Sequence, residues 1–111
     1  MLSEELIKSA DAVSAAIRET PEYTEFTQKK KQVRSDPDTK ALIERARDLQ
    51  NRLMDIPEEE RNNDYAEHLQ DEYEEIVENT AVYDYSRAEG LYMTMLQEVL
   101  GRIIENVDVD V

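Results

Sequence analysis

Asp64, His68 and Glu72 lie at i, i+4 and i+8, a spacing that on a helix lines up two carboxylates and an imidazole along one face, as a divalent metal would need. The plain alternative is a solvated face, because in so acidic a segment such a triplet arises by chance. His68 is the sole histidine, which limits hydrolytic and acid-base schemes. No Gly-rich phosphate loop and no serine nucleophile motif is present, and paired carboxylates by themselves mark no substrate pocket. A helical enzyme of the chorismate-mutase kind needs several cations converging on a dianionic substrate, and the second half offers only Arg61, Arg87 and Arg102. The chain is therefore expected not to be an enzyme. No catalytic residue, metal ligand or cofactor is assigned, and a metal-binding helical protein or enzyme using Asp64, His68 and Glu72 stands as the alternative.

A basic cluster, Lys29, Lys30, Lys31 and Arg34 followed by Lys40, could meet RNA, a phosphate or an acidic protein face. No aromatic platform is interleaved, so nucleic acid is the weaker candidate. An acidic face is the better one, and the chain carries one itself in Asp71, Glu72, Glu74, Glu75 and Glu78. Of the six tyrosines, Tyr65, Tyr73, Tyr85 and Tyr92 fall at helical core spacing. Their alternative use is in an interface, where a patch must be apolar yet tolerate water.

The elements that would position these groups are helices. Leu2, Leu6, Ala10, Val13 and Ile17 make an apolar stripe over residues 3–19. Thr20-Pro21-Glu22 reads as a cap, a first-turn proline and an acid suited to the helix dipole, opening a helix that runs to about residue 34 with Tyr23, Phe26, Thr27 and Val33 inward. Asp36-Pro37 repeats that signal for a third helix, with Leu42, Ala46, Leu49 and Leu53 as its stripe, ending before Pro57. Residues 57–63 are a polar turn. Asn62 or Asn63 caps a fourth helix over 64–78, with Tyr65, Leu69, Tyr73 and Ile76 inward. After a break at Asn79-Thr80, the longest helix covers 81–106 and buries Val82, Tyr85, Tyr92, Leu96, Val99 and Ile103. The tail 107–111 is expected to fray.

The expected fold is thus all-α: four to five antiparallel helices, bundle-like, with a long C-terminal helix, in one domain spanning 1–111. Two Gly and three Pro in 111 residues, with 36% charged residues, agree with this. The absence of cysteine excludes disulfides and thiolate sites, and no leader or membrane span is evident, so a cytoplasmic protein is expected. The net charge is −14. Its excess lies wholly C-terminal: residues 1–54 hold 10 basic and 10 acidic side chains, and residues 55–111 hold 3 and 17. Such a half repels phosphate backbones.

The run from Asn79 through Val82, Tyr85, Ala88, Glu89 and Leu91 to Met95, Leu96, Glu98 and Val99 resembles the C-terminal pattern of the YlbF/YmcA family. Thr20-Pro21-Glu22-Tyr23, Phe26, Val33, Asp36, Ala41, Leu42, Ile43, Gln50 and Leu53 resemble its N-terminal half. The resemblance implies a small helical cytoplasmic regulator or adaptor of the kind that Gram-positive bacteria use in competence, sporulation and biofilm control. It also implies other proteins as partners, an RNA-degradation complex containing RNase Y among them. Some members carry cysteines linked to iron-sulfur clusters; this chain has none, which puts cluster binding in doubt.

Self-association is expected as well, as a dimer or higher homo-oligomer. Ser86, Gly90, Thr94 and Gly101 fall within about a quarter turn at roughly 100° per residue, and two glycines inside a helix suggest a close backbone approach. The candidate interface comprises Tyr85, Glu89, Gly90, Tyr92, Thr94 and Gly101. Glu89 projects into the apolar stripe between Tyr85 and Tyr92, where a carboxylate requires a cation. Arg45 or Arg52 of the third helix is the expected partner in a buried ion pair.

Overall fold

The computed structural model describes residues 1–107; the expected frayed tail lies, apart from Val107, outside the described residues. Among the described residues five α-helices follow one another: α1 Glu4–Arg18, α2 Pro21–Arg34, α3 Pro37–Asp55, α4 Asp64–Val77 and α5 Thr80–Glu105, with one 3₁₀ turn, Glu58–Glu60, before α4. Each start has a local cause. The side chains of Ser3, Asp36 and Asn63 accept from the backbone N–H of Leu6, Thr39 and Ala66. Thr20 Oγ1 and Asn79 Oδ1 do the same for Tyr23 and Val82. Each bond satisfies an N–H that has no partner inside its helix. Thr39 also donates its hydroxyl to Asp36 at 2.8 Å, and these bonds hold the Asp36 carboxyl below its ordinary range.

The chain divides into two compact units, Lys30–Arg87 and a second made of Met1–Lys29 with the chain from Ala88 onward. In the Lys30–Arg87 unit, α3 and α4 pack side by side. Arg45 meets Glu72, whereas Leu53 and Met54 share a cleft with Ala66 and Glu67; the pairings run in opposite senses, so the two helices are antiparallel. Ile43, Ala46 and Leu49 of α3 face Ala66, Leu69 and Ile76 of α4, and Val82 and Tyr85 from the start of α5 complete the core. Leu49 is fully buried at 0% exposure, a placement that contributes about 1.5–3 kcal/mol by removing its side chain from water. The expected stripe of α3 is displaced by one residue at its start: Ile43 is buried and Leu42 half-buried. On α4 the small Ala66 takes the inward position and Tyr65 stands in solvent, because the phenol ring tolerates water and alanine lets α3 approach.

In the other unit, Tyr92 stacks on Phe26 with ring centroids 4.9 Å apart and meets Tyr23 edge-on at 5.9 Å. Ala88 is buried. The helix α1 buries no residue at all, although its stripe has the expected helical period. On α5, Leu96 and Val99 are half-buried, but Ile103, expected inward, is 48% exposed. No helix among the described residues is long and apolar enough to cross a membrane.

Candidate functional site

Asp64, His68 and Glu72 do fall on one face of α4, but among the described residues no group of three His, Asp or Glu side chains is placed to hold a metal. Glu72 is committed elsewhere. Its Oε1 and Oε2 accept from Nε and Nη2 of Arg45, both at 3.0 Å, the two-pronged geometry that suits a guanidinium to a carboxylate. That bond, foremost, and the charges of Arg45, His68 and Arg52 hold the Glu72 carboxyl below its ordinary range; the same bond raises Arg45. The metal-binding alternative is thereby corrected. A helix face set the spacing of the three side chains, but an arginine two turns along a neighbouring helix took the third ligand.

Arg45 and Arg52, the cations expected to pair with Glu89, are 42% and 51% exposed, and both bond Asp48, at 3.2 and 3.1 Å. A pair made by either would be a wetted one, which corrects the expectation of burial on the arginine side. Glu89 itself is half-buried on α5. Of the other candidate interface residues, Tyr85 is 8% exposed and its hydroxyl accepts from Arg47 at 3.4 Å, while Tyr92 is occupied by Phe26 and Tyr23. Tyr85 is thus buried and Tyr92 half-buried, and an interface role for either is a proposal for mutagenesis to test. Gly90, Thr94 and Gly101 are exposed. A Cβ added at either glycine would meet open space, so none of the described residues makes a close approach there.

The more prominent surface was missed by sequence reasoning. Leu6, Ile7 and Val13 of α1 are exposed, as are Leu100, Ile103 and Ile104 at the end of α5. Val13 joins Met95, Val99 and Ile103 around a cleft of about 400 Å³. Apolar faces of two helices in one unit are therefore left in water, a feature that marks interaction sites when the residues are contiguous. The available signal was the length of the apolar pattern: α1 and the last turns of α5 carry stripes, and among the described residues no further helix covers them. A second cleft of about 380 Å³ lies between α3, the 3₁₀ turn and α4, where Arg61 reaches back to the Ile56 carbonyl at 3.3 Å.

A family model described as control of competence regulator ComK, YlbF/YmcA, matches residues 6–108, nearly the whole chain. No curated protein and no solved structure matches.

Proposed function

Since the chain belongs to the YlbF/YmcA family, we propose that it is a non-catalytic cytoplasmic regulator, of the class that controls competence, and that it acts by presenting helical faces to other proteins. The observation that carries this reading is the apolar surface of α1 and the end of α5, in which α1 buries none of its 15 residues. An amphipathic helix retained without a core to enter is best explained by a partner that covers it. A second copy of the chain is the first such partner, and a protein of an RNA-degradation complex the second. Nucleic acid is disfavoured by the net charge of −14.

Sedimentation equilibrium tests the first arm. The protein is expected to be a dimer or larger at tens of micromolar; a monomer throughout that range defeats it. Affinity capture of tagged protein from the source cell tests the second arm: recovery of RNA-degradation enzymes, lost on Leu6→Glu, supports it, and recovery unchanged by Leu6→Glu removes this surface from the role.

A further inference from the structure

Only two residues, Ser35 and Asp36, separate the end of α2 at Arg34 from the start of α3 at Pro37. Lys30 and Arg34 stand one turn apart on α2, and Lys40 and Arg47 two turns apart on α3, so each pair shares a helix face. All four line one cleft of about 160 Å³ within the Lys30–Arg87 unit, whose floor includes Val33 and the buried Ile43. Arg47 is held there by its bond to the Tyr85 hydroxyl at 3.4 Å. Four of the chain's 13 Lys and Arg therefore meet at one small concavity, with Glu44 the single carboxylate among the described residues that line it, in a protein of net charge −14.

Size and range decide what such a cleft can hold. At about 160 Å³ it is smaller than the roughly 300–1,000 Å³ pockets that enclose organic ligands, so it suits one compact anionic group. A polynucleotide would feel the acidic surface beyond the cleft along its whole length. A small anion samples only the field within about 8 Å, the Debye length at physiological salt, to which the lining contributes Lys30, Arg34, Lys40 and Arg47 against Glu44. Arginine forks match the oxygens of phosphate, and lysines add charge without demanding geometry. We propose that this cleft binds the phosphate group of a small ligand, either inorganic phosphate or a phosphate monoester.

The test uses the full chain labelled with ¹⁵N and titrated with sodium phosphate and, separately, glycerol 2-phosphate, each against sodium chloride at equal ionic strength. Saturable amide shifts confined to residues 30–34 and 40–47 are expected with one or both phosphates and not with chloride. A response to glycerol 2-phosphate alone assigns the source to an ester, and a response to phosphate alone to the free ion. Arg34 and Lys40 are exposed, so the double variant Arg34→Gln, Lys40→Gln should fold. Its half-saturation should rise about a hundredfold, about tenfold for each charge-assisted bond lost. Arg102→Gln, elsewhere on the surface, should bind as the parent does. Shifts no larger than those from chloride, or saturation unaltered in the double variant, would overturn the proposal. So would a polyglutamate peptide that moves these amides while both phosphates are silent, which would assign the cleft to an acidic protein.

Discussion

Glu72 gives both its oxygens to Arg45, and its lowered pKa fixes the sign of a pH effect. A carboxylate held below its unfolded value stabilises the fold above that value and ceases to do so as the pH falls through the folded one. Asp36, lowered by Thr39, acts in the same direction. Thermal melts should therefore drop on acidification below the ordinary carboxylate range. The Glu72→Gln protein should lose less over that interval than the parent, and a parent and variant that fall in parallel would remove Glu72 from the account. Because the Arg45–Glu72 pair is 42% and 36% exposed, its effect should shrink at about 1 M salt, where screening acts within about 3 Å. An ion pair from Glu89 to Arg45 or Arg52 is a proposal that melts of Glu89→Ala, Arg45→Ala and Arg52→Ala decide, a Glu89→Ala protein that melts like the parent removing it. At this scale sequence reading was weakest: spacing says which side chains share a helix face, but not which neighbouring helix supplies the counter-ion.

Helix boundaries, by contrast, were legible to within a residue or two, because each is written locally. Ser3, Thr20, Asp36 and Asn63 are side chains that compete for backbone donors, and Pro21 and Pro37 sit where the missing N–H costs nothing. Asn63→Ala should cost about 1 kcal/mol through its lost bond to the Ala66 amide, measured by denaturant melts. Leu49→Ala should cost about 2–5 kcal/mol, since nothing but core surrounds it. What could not be read was which of two adjacent apolar positions turns inward, as between Leu42 and Ile43 or Tyr65 and Ala66, because that depends on how closely α3 and α4 approach. The glycines of α5 separate two ideas. With open space beyond both, Gly90→Ala and Gly101→Ala should each stabilise a monomer by about 0.5–1 kcal/mol. If a second copy's backbone lies against them, the same changes should weaken self-association instead, as sedimentation will show.

Taken over the whole molecule, an all-α protein was evident from composition and period, and the family from patterns along both halves. The exposed apolar surface was not, because a stripe tells that a helix wants cover without telling whether its own chain provides it. Ile103→Glu is the corresponding variant: at 48% exposure it should change monomer stability by no more than about 0.5 kcal/mol. Yet it should raise the dissociation constant of self-association at least about tenfold, as a buried aliphatic side chain is worth about 1.5–3 kcal/mol. The helix α1 carries this further. None of its 15 residues is buried and Ile17 alone is half-buried, and a helix near 12–15 residues is marginal in water when little packs against it. In the isolated chain α1 should therefore open at little cost, and its amide protons should exchange with deuterated solvent far sooner than those of α3. Raising the protein concentration through the association midpoint should slow the exchange of α1 selectively, making its amide protection a gauge of how much surface has found a partner.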